Sequence, residues 1–104
     1  MTCRVTVDAG ICGFRSAIEA RKQGEDTVSI VITSECTQIS QLNETLGSMA
    51  LRDVFTPAGR NLVFARAQEA RCHVTCPVPV AILKCVEVEL GMALPRDASI
   101  AFQS

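Results

Sequence analysis

The spacing of apolar residues changes once along this chain, and that change constrains the fold more than any other feature. In the first third, apolar side chains recur at every second position: Cys3, Val5 and Val7, then Val28, Ile30 and Ile32. A two-residue period is typical of a strand that buries one face. After Ser34 the period lengthens to three or four residues, as in helices that bury one side. The sequence therefore predicts a strand-rich part followed by a helix-rich part.

The segment between the two alternating stretches has two interpretations. Residues 14–22, FRSAIEARK, form either a strand with Phe14, Ser16, Ile18 and Ala20 on one face or a short helix from Ser16 to Lys22. We prefer the strand, because turn residues at 24–26 would then close it onto the next strand. The result is a three-stranded antiparallel meander with one apolar face.

Three helices are expected after the meander. The first carries one apolar stripe and ends near residues 47–49, and its stripe consists of Ile39, Leu42, Leu46 and Met49. A break follows at Thr56–Pro57. Residues 60–70 are rich in helix formers, and this second helix carries Val63, Ala67 and Ala70 along one face.

Two prolines locate the start of the third helix. Pro77 and Pro79 are compatible only with a first helical turn, so the helix runs from there through residues 80–92. Its expected inward side chains are Ile82, Leu83, Val86 and Leu90. Gly91 lies near the end of this helix, and Pro95 prevents its continuation. Residues 99–102, SIAF, are expected to form a last short strand.

These elements predict an α+β fold with two layers. A small antiparallel sheet, made of the three-strand meander and the short C-terminal strand, would be covered on one face by about three helices. The length of 104 residues suits a single domain that spans residues 1–104.

The composition excludes some classes of function. Hydrophobic residues make up 48% of the chain, charged residues 20%, and the net charge is −1, so no basic surface for nucleic acid is expected. Tryptophan and tyrosine are absent, which leaves few side chains on which bases could stack. No signal sequence and no apolar run of membrane-spanning length is evident. We therefore expect a cytoplasmic protein that binds neither nucleic acid nor membranes.

Six cysteines in so short a chain raise the expectation of metal or thiol chemistry. In a protein without a secretion signal they are expected to be reduced. Cys3, on the inward face of a strand, and Cys85, inside the third helix, are expected to be core residues. We call these two the core cysteines.

The other four cysteines fall at predicted junctions, and we call them the loop cysteines: Cys12, Cys36, Cys72 and Cys76. Cys12 lies in the turn AGICGF, where Gly10 and Gly13 permit a tight backbone. Cys36 and Cys76 each lie at or just before a helix N-terminus, a position that lowers the pKa of a thiol and favours a thiolate.

The spacing of the loop cysteines suggests a metal site. Cys72 and Cys76 form a C-x3-C pair with the spacing of structural zinc ligands, and Cys12 and Cys36 could complete the four thiolates that zinc or an iron–sulfur cluster requires. The alternative is that Cys72 is an ordinary surface or core residue and Cys76 only caps a helix. His73 could replace Cys72 as a ligand, although a lone loop histidine is more often simply solvated.

Two resemblances add to this interpretation. The strings VTVDAGICGF, SEC and CPVPVAILKCVEVELGMALPRD resemble a small uncharacterised family of short prokaryotic proteins, mostly from anaerobes, with matching CGF and CPVP signatures. The order of strands, helices and cysteines, with TCP at 75–77, is similar to four-cysteine TSCPD-type domains, which occur alone or at the end of some ribonucleotide reductases. Those domains are thought to bind a metal, and the resemblance implies Cys12, Cys36, Cys72 and Cys76 as its ligands. This chain has TSECTQ where those domains have GGCPGN, and it lacks their DQLA.

Three functions remain open from the sequence. The first is a metal-binding module that holds zinc or an iron–sulfur cluster. The second is a thiol-redox protein in which Cys76 is the nucleophile and Cys72 or Cys36 forms a disulfide with it. The third is a structural domain that forms a homodimer through the sheet or the third helix. No acid–base pair or nucleotide-binding motif identifies a reaction.

Overall fold

The alternating segments form three antiparallel strands in the computed structural model, which describes residues 2–104. They are β1 (Thr2–Asp8), β2 (Arg15–Lys22) and β3 (Thr27–Ser34), and a short β4 (Ser48–Ala50) pairs with β3. The strand order is β1-β2-β3-β4, and each neighbouring pair is antiparallel. The predicted meander is confirmed, including the strand interpretation of residues 15–22.

One face of the sheet is apolar, because the register places the alternating residues side by side. Val5 pairs with Ile18, which pairs with Ile32, and Cys3 pairs with Ala20. On the inner strands this face is buried, with Ile18 and Ala20 each 0% exposed. On β1, Cys3 and Val5 are only partly buried.

The helices cover that apolar face and give the two-layer α+β domain that the sequence predicts. They are α1 (Thr37–Leu46), α2 (Leu51–Phe55), a 3-10 turn (Ala58–Arg60), α3 (Leu62–Glu69) and α4 (Val78–Glu89). The helix α4 packs across β1 and β2, α1 packs on β3, and α3 contacts both α1 and α4. The buried residues of α1 and α3 are all predicted ones, although Met49 lies outside α1, whereas α4 buries Cys85 more deeply than Leu83.

Glycines end two helices as expected. Gly47, with φ of 62°, follows α1. Gly91, with φ of 77°, follows α4, and there the N–H of Gly91 donates to the Val88 carbonyl and the N–H of Met92 to the Glu87 carbonyl. These paired bonds are a Schellman motif, which requires a left-handed residue after the helix.

Two details of the predicted architecture are wrong. Residues 99–102 form no strand in the described chain and are exposed; the fourth strand is β4 instead. Met49 therefore lies on β4 and not on α1. It is nevertheless buried, as the apolar stripe predicted. The reason is that Gly47 stops the helix, so Met49 reaches the same core from the sheet. The short α2 and the 3-10 turn were not predicted.

The C-terminal ends of α4 and β2 are joined by a buried carboxylate. Glu89, 6% exposed, accepts a 2.9 Å hydrogen bond at Oε2 from the backbone N–H of Lys22. This contact fixes the C-terminal end of α4 beside the end of β2. Within residues 2–104, no helix has the length and apolar character needed to cross a membrane.

Candidate metal centre

The topology brings the loop cysteines to one end of the sheet. The C-terminal end of α4 lies beside Lys22, the last residue of β2, so its N-terminal end lies where β2 begins and β1 ends. The β1–β2 loop carries Cys12 at this end, and β3 finishes there just before Cys36. The segment that joins α3 to α4 brings Cys72 and Cys76. Three chain segments that are distant in sequence therefore supply the four thiols.

Cys12 is the exposed member of the loop cysteines. It lies in a tight turn in which the N–H of Gly13 donates to the Gly10 carbonyl at 2.9 Å. Gly10 and Gly13 have φ of 89° and 77°, so both take the left-handed backbone that glycine favours. The predicted role of these glycines is confirmed, and Cys12 is presented at the tip of the loop.

Cys36 is the N-cap residue of α1, as predicted. Its backbone N–H donates to Ser34 Oγ at 3.1 Å, and Ser34 Oγ in turn accepts from Ser16 Oγ at 2.9 Å. The Cys36 thiol points along the first turn and donates to Gln38 Oε1 at 3.3 Å. The pair of serines was missed in the sequence, although a serine two residues before a helix cap is a recognisable turn signal.

Cys72 follows α3 in a second Schellman motif. The N–H of Cys72 donates to the Ala67 carbonyl at 2.9 Å, and the N–H of Arg71 to the Gln68 carbonyl at 3.0 Å. Arg71 occupies the left-handed position with φ of 61°, which is uncommon for a residue with a side chain. The C-terminal end of α3 thus fixes the backbone from which the Cys72 thiol projects.

Cys76 immediately precedes Pro77, the N-cap residue of α4, so the predicted helix start is confirmed. A turn brings it back toward Cys72, because its backbone N–H donates to the His73 carbonyl at 3.0 Å. Its sulfur accepts a hydrogen bond from the backbone N–H of Val78. The side chain of His73 is exposed.

The thiols of the loop cysteines lie close enough to influence one another electrostatically. Burial raises the pKa of the Cys72 thiol, and negative charge on Cys76 and on Cys36 raises it further. Burial likewise raises the pKa of Cys76, the Val78 N–H opposes this, and charge on Cys36 and Cys12 adds to the increase. The expectation of a lowered pKa at Cys76 is therefore wrong, because burial outweighs the single N–H bond.

The described residues 2–104 contain no group of three or more His, Cys, Asp or Glu side chains already arranged around a common point as metal ligands. The four loop cysteines thus lie at the same end of the sheet, and their thiols affect the pKa values of Cys72 and Cys76, but they are not arranged as ligands. Ligation would require the thiols to turn toward one another, and rotation about χ1 moves a cysteine sulfur without moving the backbone.

The core cysteines lie away from this group, at the other end of the sheet. Cys85 is 0% exposed, and its thiol donates to the Cys3 carbonyl at 3.4 Å. Burial, together with the neighbouring Cys3 and the charge of Glu89, raises the pKa of Cys85 to about 12. Packing of Cys3 and Cys85 against the core is as predicted.

Several exposed apolar side chains lie near the loop cysteines in the sequence. Ile11 and Val74, each next to or between loop cysteines in the sequence, are both essentially fully exposed, at 107% and 102%. Phe14, expected on the inner face of a strand, precedes β2 and is 40% exposed. Exposed apolar side chains therefore lie next to loop cysteines in the chain, as do the charged residues Glu35 and Arg71.

Comparison with known proteins gives one match. The model of a family of unknown function, DUF6951, matches residues 3–102. Neither the curated proteins nor the solved structures contain a significant match.

Proposed function

Because this chain belongs to DUF6951, a family of unknown function, we propose its function from its chemistry: it is a small metal-binding module. A zinc ion or an iron–sulfur cluster is held by the thiolates of the loop cysteines, Cys12, Cys36, Cys72 and Cys76. The observation that carries this proposal is that the fold brings four cysteines from three separate segments to one end of the sheet, where the pKa values of Cys72 and Cys76 respond to the other thiols.

The electrostatics favour a cation among these thiols. Burial and neighbouring thiolates raise the pKa of Cys72 and of Cys76, so these two thiols stay largely protonated in the metal-free protein. A bound cation reverses this effect and deprotonates coordinating thiols. Four thiolates suit tetrahedral zinc and both common iron–sulfur clusters.

The surrounding backbone supports bound sulfur atoms. The Val78 N–H already donates to the sulfur of Cys76, and Cys36 opens a ten-residue helix whose first N–H groups lack partners within the helix. Such hydrogen bonds to ligating sulfur orient the ligand and tune the metal.

Cys12 is the ligand that most needs to move, because it is exposed at the tip of a glycine-containing turn. Metal binding would order this loop over the other three thiols. If only three thiolates bind, an open coordination position remains, and a substrate could then reach the metal. The resemblance to TSCPD-type domains supports ligation by all four loop cysteines.

Reduced thiols fit a cytoplasmic location, which we also propose. The thiol-redox alternative is weaker, because the raised pKa of Cys76 leaves less thiolate to act as a nucleophile. A C-x3-C turn remains its only structural support.

The test is metal analysis with an absorption spectrum on protein produced and kept without oxygen. One equivalent of zinc in colourless protein supports a structural site, and absorption near about 400 nm supports a cluster. Reduced protein without metal, which also fails to bind added zinc or to accept reconstituted cluster, contradicts the proposal.

Single substitutions identify the ligands. We expect Cys36→Ser and Cys76→Ser to lower zinc affinity by at least about 100-fold, measured by competition with a chromophoric chelator. Cys3→Ser is the matched control, since Cys3 is also partly buried but lies among the core residues. Equal loss of affinity in Cys3→Ser would show that the effect comes from general destabilisation.

A further inference from the structure

The C-terminal segment has the pattern of a strand but no partner within the described chain. In residues 98–102, ASIAF, apolar side chains alternate with smaller or polar ones. Ile100 and Phe102 are 87% and 98% exposed, and the segment forms no hydrogen bond with residues 2–104. A strand-like segment with such exposed side chains is costly in water, so it is expected to be covered.

The sheet has a matching open edge. Within residues 2–104, β1 pairs only with β2, so one row of its backbone N–H and C=O groups is unpaired there. The apolar face is also incompletely covered there, because Cys3 and Val5 are partly exposed, whereas Ile18 beside Val5 is 0% exposed. A further strand beside β1 would bury both residues.

The helix α4 also has apolar side chains that are incompletely buried. α4 packs over β1 and β2, and several of its apolar residues are not fully buried. Val80 is 46% exposed, while Leu83 and Val88 are half-buried. A strand added to β1 would place one of its faces on the same side of the sheet as α4.

We propose that residues 98–102 of one copy of this chain add as a fifth strand to the free edge of β1 in a second copy. The segment belongs to the domain and is not an unrelated tail, because the DUF6951 match extends to residue 102. β-strand addition requires an extended segment and a sheet edge with unpaired backbone groups. The segment with alternating side chains meets the first requirement, and the open edge of β1 meets the second.

The interface area requires the exchange to be reciprocal. A stable interface buries about 800 Å² and 20–30 residues on each partner. One five-residue strand on one sheet edge buries roughly half of that area, and a reciprocal exchange of two such strands doubles the buried area. The exchange therefore closes into a two-fold symmetric dimer and does not continue into a filament.

The experiment is sedimentation velocity of the full chain, kept reduced and metal-free, over about 1–100 µM. Phe102→Asp places a charge on the face that carries the apolar side chains, and Ala101→Asp places the same charge on the opposite face. We expect the wild type and Ala101→Asp to be dimers, and Phe102→Asp to weaken the dimer at least tenfold, because a charged side chain replaces a ring that the interface would bury.

Three results would overturn the proposal. The first is a wild-type monomer over the whole concentration range. The second is a dimer that persists unchanged in Phe102→Asp, which would indicate direct pairing of two β1 edges. The third is a dimer in which removal of residues 98–104 leaves hydrogen exchange of the β1 amides unchanged, since the segment would then not cover that edge. Unchanged circular dichroism verifies that each variant folds.

Discussion

The two ends of α4 place cysteines in opposite environments. At the C-terminal half, Cys85 is 0% exposed between the helix and the sheet, and its thiol contacts the Cys3 carbonyl. At the N-terminal end, Cys76 is half-buried among loops, and its pKa responds to the charges of other thiols. The same residue type serves packing at one end and is available for chemistry at the other. Position in the fold, and not the cysteine content, makes the distinction.

Alkylation rates test the comparison with the largest expected effect. At about pH 8, Cys85 should react roughly a thousand times more slowly in the folded chain than in the urea-unfolded chain, because its pKa is about 12 against an ordinary 9.0. Pulsed labelling followed by mass spectrometry measures both rates for the same residue. Cys12, which is exposed in the fold, serves as the control and should show a much smaller difference. If folding slowed the alkylation of Cys12 and Cys85 to a similar extent, the proposed difference between the two ends of α4 would be contradicted.

Truncation of apolar side chains compares the packing of the two ends. Ile82→Ala, in the buried part of α4, should lower the free energy of unfolding by about 2–5 kcal/mol through cavity formation. Val74→Ala, in the exposed loop between Cys72 and Cys76, should change it by less than about 0.5 kcal/mol. Urea unfolding of the metal-free protein measures both. A loss above about 1 kcal/mol in Val74→Ala would mean that the loop is packed in solution.

The pH dependence of the free energy of unfolding measures the contribution of the buried Cys85 thiol. The pKa of Cys85 is about 12 when folded and ordinarily 9.0, so the unfolded chain loses this proton first as pH rises. The protonated Cys85 thiol makes its whole contribution to the free energy of unfolding below pH 9. That contribution is lost between pH 9 and 12, by up to about 1.4 kcal/mol per pH unit. Cys3 and Glu89 are the titratable neighbours of this thiol. Unfolding free energies of wild type and Cys85→Ala should therefore converge above pH 9, and parallel curves would contradict the assignment.

The smallest effect concerns the helix ends at the two sides of the molecule. Arg71 ends α3 in the same left-handed geometry that Gly91 provides after α4. We expect Arg71→Gly to stabilise the protein by about 0.5–1 kcal/mol, since the left-handed backbone costs a side-chain-bearing residue about 1–2 kcal/mol. Gly91→Ala should destabilise it by about 1 kcal/mol for the same reason. Thermal unfolding of the pair measures both, and a destabilised Arg71→Gly would show that the arginine side chain makes a compensating contact.

Local patterns determined most of the secondary structure. The two-residue alternation of Val28, Ile30 and Ile32 defined β3, because alternate side chains of a strand point to one face. Pro77 and Gly91 bounded α4, because proline suits a first helical turn and glycine a left-handed end. These signals depend on neighbours within a few residues, so they are readable without tertiary information. The α+β layering followed from them, as did the placement of Cys36 and Cys76 at helix starts.

Tertiary structure decided the features that depend on residues far apart in the chain. Residues 99–102 alternate like a strand, yet they pair with no strand of the described chain, and β4 takes the place beside β3. The pKa of Cys76 is likewise set by burial and by Cys36 and Cys12, which the fold brings near, and this reverses the expectation from the helix N-terminus. Sequence by itself thus determined which segments become strands and helices, because those preferences are local. Only the tertiary structure decided which edges pair and how the thiols influence one another, because pairing and electrostatics depend on distance in space.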